Sequence, residues 1–164
     1  SLTNQLGQPV GLNSLKGKVW LADIIFTRCA GPCPLMTRRM ARLQEKFAEW
    51  DEVRFVTLTT DPLHDTPEVM GRFAKKFGAK PVRWEFLTGD KKEIIRMAVG
   101  GLKLITQEKP EAEQSNPEDL FIHTTIFVAV DRQGRVRGTV ESIDDGWEEK
   151  AVLLVETLLK ETKK

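Results

Sequence analysis

Apolar and polar residues fall into blocks along this chain, and the blocks have two periods. The run VWLADIIF (19–26) is almost continuously apolar over the length of a strand, which predicts a strand buried on both faces. VRFVTLT (53–59), rich in β-branched and aromatic residues, predicts a second strand, and WEFLT (84–88) a short third. TTIFVAV (124–130), the turn DRQG (131–134) and RVRGTVE (135–141) read as a hairpin. Between these runs the spacing becomes helical. Leu35, Met36, Met40, Leu43 and Phe47 mark a helix within 34–49. Thr66 followed by Pro67 is a hydroxyl cap with proline at the first helical position. Val69, Met70, Phe73 and Phe77 then form the inner face, and Gly78 ends the helix. Asp90 and Glu93 form a capping box for a helix to about Val99. Trp147, Val152, Val155, Leu158 and Leu159 give a terminal amphipathic helix. Short extended pieces are expected at 8–12 and 102–106, and the polar stretch 107–118, with two prolines, reads as a loop.

Strand and helix alternate and a hairpin and helix close the chain, which argues for an α/β layered domain. The 164 residues are expected to form one domain with a substantial core. Right-handed crossovers place the strand ends on one edge, where sites form. Charge adds little: 25 basic residues against 24 acidic leave no surface that calls for nucleic acid. No apolar run reaches membrane-spanning length. No basic-then-apolar leader is seen. Ser1 opens onto sequence of folded character, which leaves room for a signal or membrane anchor upstream.

The chemistry concentrates in TRCAGPCPLM (27–36), which holds both cysteines, Cys29 and Cys33. A bridge between them closes a very small loop and constrains little of the unfolded chain, so a structural role is weak. The segment leaves the first long strand and enters a helix. Pro34 biases Cys33 away from helical geometry and places it at or beside the N-cap, where free backbone N–H groups favour a thiolate. Arg28, Arg38 and Arg39 add positive charge, and with Arg42 they are candidates for meeting an acidic partner. Such a pair can exchange disulfides or ligate a soft metal; three intervening residues, where common redox motifs have two, leave the choice open.

His123 stands just before the hairpin's first strand. In a thioredoxin-like sheet that loop faces the cysteines, so the three residues make a set of two sulfurs and a nitrogen suited to copper or zinc. His64 lies in TTDPLHDTPEV between Asp61 and Asp65; the simplest reading is a solvent-facing loop histidine with aspartates making turn and cap hydrogen bonds. Asp61, at the end of the second strand, is placed to orient a ligand from outside the metal's immediate set. Met36 and Met40 share one helix face, which means core.

At this level of detail the chain resembles the Sco (SenC/PrrC) family of copper-binding cytochrome c oxidase assembly proteins. The resemblance rests on LGQPVGLNSLKGKVWLADIIFTRCAGPCPLM, VTLTTDPLHDTPEVMGRFAKKFG, WEFLTGD and HTTIFVAVDRQGRV, in that order and over nearly the whole chain. It implies a thioredoxin-like (peroxiredoxin-like) central sheet flanked by helices, with an N-terminal extension and a hairpin near the C-terminus. It implies copper, as Cu(I) or Cu(II), bound by Cys29, Cys33 and His123, with Asp61 matching the acidic residue of the Asp-Pro block. The implied work is delivering copper to, or reducing the cysteines of, the CuA centre of cytochrome c oxidase. The implied partners are its CuA-bearing subunit or another cuproprotein and a thioredoxin-like reductant. The implied place is the extracytoplasmic side of a membrane, the bacterial periplasm rather than the mitochondrial inner membrane. Phe26 stands where the family often has Tyr, and Ile122 where it often has Asp. With the Ala-Gly-Pro insert, these departures keep a second expectation open: a thiol–disulfide oxidoreductase using Cys29 and Cys33 without metal.

Overall fold

The computed structural model describes residues 2–102, 104, 106–108 and 121–161. Two short strands, β1 (Leu2–Thr3) and β2 (Pro9–Val10), pair antiparallel and form the N-terminal extension with a 3₁₀ turn at Leu12–Leu15. The apolar run becomes β3 (Val19–Ile25), followed by α1 (Cys33–Lys46), β4 (Val53–Thr59), α2 (Pro67–Lys76) and β5 (Trp84–Leu87). Then come α3 (Lys91–Ile95), a π-helix (Arg96–Gly101), β6 (Thr106–Glu108), β7 (Phe121–His123), β8 (Ile126–Val130), β9 (Val136–Glu141) and α4 (Trp147–Lys160).

The central five-stranded sheet has the order β5-β4-β3-β8-β9. β3, β4 and β5 run parallel, whereas β8 is antiparallel to both β3 and β9. Every residue of β3 is buried, and the pleat divides them. Val19, Leu21 and Ile25 face a core closed by α1, α2 and α4, through Met36, Met40, Met70, Val155 and their neighbours. Trp20, Ala22 and Ile24 face a second core closed by α3, the π-helix and the N-terminal extension, through Leu2, Leu15, Ile94 and Ala98. Two crossovers on one face carry the chain outward from β3 to β5. The next connection, on the other face, returns it to β8 on the opposite side of β3. The carboxyl end of β3 is therefore the point where the strand order reverses, the usual place for a site.

Local signals behave as the sequence implies at α2. The Thr66 hydroxyl accepts the Val69 N–H at 3.3 Å, and Gly78, at φ 74°, takes the left-handed conformation that stops the helix. Three expectations are corrected. The helix expected to run to Val99 gives way at Arg96 to a π turn, which lets the Leu102 N–H reach the Met97 carbonyl at 2.8 Å and keeps Ala98 and Leu102 buried. Gln107 and Glu108, read as loop, lie in β6, because Phe121–His123 forms a strand that pairs with them. His123 is accordingly in a strand of its own, not in a bare loop before β8. Residues 103, 105 and 109–118 of the extended and polar stretches lie outside the described residues.

Candidate redox and metal centre

β3 ends at Ile25, and the chain turns out of the sheet with the Cys29 N–H bonded to the Phe26 carbonyl at 3.1 Å. Cys33 is the first residue of α1 and Pro32 takes the N-cap position, its carbonyl accepting the Met36 N–H at 2.9 Å. Cys33 thus stands beside the N-cap, as expected, but inside the helix and against the pre-proline bias of Pro34. The pre-proline bias is modest, and burial of the Cys33 side chain in the α1 core outweighs it. Pro34 costs α1 nothing, since an amide at the second position has no intrahelical acceptor.

Neither cysteine is in a disulfide, and the two thiols are unlike. Cys29 is half-buried, while Cys33 is 1% exposed. Burial pushes the Cys33 thiol far above its ordinary range, and its hydrogen bond with Cys29 pushes the same way. A backbone hydrogen bond from Phe26 opposes these, and the charges of Cys29 and Asp23 reinforce them. The expected stabilisation of a Cys33 thiolate by the helix N-terminus is overturned here: desolvation in a packed core exceeds what the helix end returns. Cys29 is the accessible sulfur and Cys33 the sheltered one.

Asp23 carries a signal that was available in the sequence but not used: it is the one charge inside the apolar run 19–26. It is 0% exposed and occupies a β3 position between Leu21 and Ile25, on the α1 side. Its Oδ1 accepts the Thr57 hydroxyl at 2.6 Å, and Thr57 in turn accepts the Trp84 indole N–H at 2.9 Å.

The Thr60 N–H bonds to the Ile25 carbonyl at 2.9 Å, so the loop after β4 lies beside the cysteine loop. There Asp61 Oδ2 accepts the Arg28 guanidinium at 2.7 Å. Asp61 thus holds the residue next to Cys29. Asp61, His64 and Asp65 bring ligand-type atoms within 4.8 Å of one another. The group is nonetheless spoken for, because Asp65 accepts from Thr27, Thr59 and His64 while Arg28 occupies Asp61. Thr66 caps α2, as the sequence predicts, whereas Asp65, expected to make turn and cap hydrogen bonds, turns its carboxylate to Thr27 and Thr59. Of the four arginines proposed to meet a partner, Arg39 sits over the Trp147 ring at 5.1 Å and bonds the Ser142 carbonyl, and Arg42 pairs with Glu148 at 2.8 Å. With Arg28 on Asp61, this leaves Arg38 as the exposed one with no partner among the described residues. Met36 and Met40 are core, as expected.

His123 pairs through its backbone with Thr106, and its side chain lies outside the described residues. β7 leads into β8 through Thr124 and Thr125, and β8 runs opposite to β3 with Ala22 facing Val128. The start of β8 is therefore at the end of the sheet where β3 finishes.

The chain has relatives by sequence and by fold. The sequence model described as SCO1/SenC matches residues 1–157. The SCO1 protein homolog of Bacillus subtilis (strain 168) is 42% identical over 81% of this chain and 67% of its own length. A SCO1/SenC family lipoprotein from Bacillus anthracis str. Ames superposes with a TM-score of 0.84 at 35% identity, covering 97% of this chain and 92% of that one. BsSco, described as a member of the Sco family of cytochrome c oxidase assembly proteins with a disulfide switch, gives 0.80 at 35%, covering 98% and 91%. Bradyrhizobium japonicum ScoI, solved with copper bound, gives 0.75 at 27%, covering 96% and 95%. The expected thioredoxin-like fold stands, and this chain belongs to the SCO1/SenC family.

Proposed function

We propose that the protein binds copper through Cys29 and Cys33, with His123 of β7 as the nitrogen donor, and serves the assembly of cytochrome c oxidase. It would do so by delivering copper to, or reducing the cysteines of, the CuA centre. One observation carries this reading: two unbridged cysteines, their thiols hydrogen-bonded to each other, at the carboxyl end of β3, Cys29 in the loop and Cys33 opening α1. Two adjacent sulfurs fit soft Cu(I), and an imidazole extends the set to Cu(II). Copper here is cargo, which the sulfurs would take up on losing their protons. Asp61 holds Arg28, and so steadies the residue beside Cys29. The copper-bound relative and the oxidase-assembly relative support the reading. The partner would be the CuA-bearing subunit or another cuproprotein. The lipoprotein relative supports an anchored, extracytoplasmic protein, on the periplasmic side of a bacterial membrane. No helix among the described residues is long and apolar enough to cross a membrane.

The test is an anaerobic titration of the reduced protein with Cu(I) and Cu(II), beside His123→Ala. A one-to-one complex is expected, with a sulfur-to-Cu(II) absorption band that His123→Ala weakens or shifts. An unchanged band and affinity in the variant remove the histidine. If copper only oxidises the pair, the copper reading fails.

A second reading, a thiol–disulfide oxidoreductase supplied with electrons by a thioredoxin-like reductant, is favoured by the unlike burial of the two thiols. An accessible Cys29 attacks or is attacked, and a sheltered Cys33 resolves.

A further inference from the structure

Asp65 is 0% exposed and lies one residue before Thr66, the N-cap of a helix that Asp65 itself does not cap. Its carboxylate is turned across to the cysteine loop. Oδ2 accepts the Thr27 N–H at 3.0 Å and the Thr59 hydroxyl at 2.6 Å. Oδ1 accepts the Thr27 hydroxyl and faces His64 Nδ1 at 2.9 Å. The Thr59 hydroxyl, donating to Asp65, accepts the Asp61 N–H at 2.9 Å, so its direction is set from both sides. Two of the four donors on this carboxylate come from Thr27, two positions before Cys29. Sinking a carboxylate this far is expensive and repays itself only when every lone pair is directed. Here both oxygens converge on the residue that opens the cysteine loop.

We propose that Asp65 is a positioning residue: through Thr27 it holds the loop in the geometry of the reduced pair and thereby sets the dithiol–disulfide equilibrium of Cys29 and Cys33. The clip is seen with no bridge between the two cysteines. Forming a bridge draws the two Sγ atoms to about 2 Å, and any loop movement this entails works against the Asp65–Thr27 hydrogen bonds. A clip that resists that movement favours the dithiol, and loosening it favours the disulfide. The proposal rests on Cys29 and Cys33 being the functional pair but needs no copper, so a metal-free experiment separates its failure from that of the copper reading.

The full chain is equilibrated in glutathione buffers of graded ratio, and the bridged fraction is read by alkylation and mass. Oxidation forms one Sγ–Sγ bond, breaks the glutathione disulfide bond and passes the two thiol protons to the two glutathione sulfurs. The two electrons go to glutathione disulfide, which leaves as two glutathione molecules. Thr27→Val removes one donor and keeps the N–H and the side-chain shape. Thr27→Ala repeats the test without the added methyl. Thr27→Ser restores the hydroxyl. Thr66→Ala removes the neighbouring helix cap, a loss of stability without contact to the cysteine loop. Thr27→Val and Thr27→Ala are expected to move the equilibrium about tenfold toward the disulfide, about 30 mV. Thr27→Ser and Thr66→Ala are expected to stay within about twofold of the unaltered protein, a difference of under about 10 mV. The proposal is overturned if neither Thr27→Val nor Thr27→Ala moves the equilibrium. It is equally overturned if Thr66→Ala moves it as far, since loss of stability alone would then explain the shift.

Discussion

Beneath the thiol pair runs a buried chain of hydrogen bonds, from the Trp84 indole to the Thr57 hydroxyl to Asp23, linking three adjacent strands. Replacing Thr57 by Val tests it cleanly. The shape and the β-branching are kept, so neither a cavity nor a loss of strand propensity intrudes. What changes is polar satisfaction. The indole N–H loses its acceptor, and Asp23 Oδ1 loses its donor, at positions that are all 0% exposed. Each buried group that loses such a bond costs about 1–3 kcal/mol, so the sum for the two is roughly 2–6 kcal/mol. Against a stability of about 5–15 kcal/mol this is a large share, equivalent to roughly 5–15 °C in Tm. Urea unfolding of the reduced protein, followed by circular dichroism, measures it. The midpoint should fall with the slope unchanged. A loss below about 1 kcal/mol at constant slope would refute the reasoning, because it would mean that the buried chain gains nothing over its exchange for water.

Other outcomes follow from the same structure. Iodoacetamide should label Cys29 well before Cys33 in the native reduced protein, and the two should react alike in urea; equal native rates would contradict the burial of Cys33. Because the folded state raises the Cys33 thiol, the unfolded chain gives up that proton first. Stability should therefore be whole below the ordinary thiol range and decline from roughly pH 8.5 upward, with a shallower decline in Cys33→Ala. Asp131 runs the other way. Burial raises its carboxyl, but hydrogen bonds from the Arg135 N–H, Arg137, the Gln133 N–H and the Arg135 side chain outweigh burial and hold it below its ordinary range. The stability it contributes should be present above about pH 4 and lost as pH falls through its folded value. The gap in Tm between the protein and Asp131→Asn should close on acidification, and a constant gap would count against the assignment.

The sequence carried local and repeating information well. A continuous apolar run dictates a central strand, because only two covered faces satisfy it. The Thr66–Pro67 signal and Gly78 bound α2 because capping and left-handed backbone are properties of single residues. The cysteine loop at the end of the first long strand was legible for the same reason. The π turn at Arg96–Gly101 and the β6–β7 pairing were not, since both depend on what packs or pairs from elsewhere in the chain.

The site divides along the same line. That Cys29 and Cys33 share one loop follows from sequence. That Cys33 is sheltered and its proton held firmly was decided by burial, a property of the assembled core that a helix-terminus argument cannot see. Asp65 reads locally as a turn or cap residue. Only the parallel pairing of β3 with β4, which lays two loops side by side, turns its carboxylate toward Thr27. Spacing along the chain determines which groups are available, whereas contact across it, with the water it excludes, determines which charges and hydrogen bonds they keep.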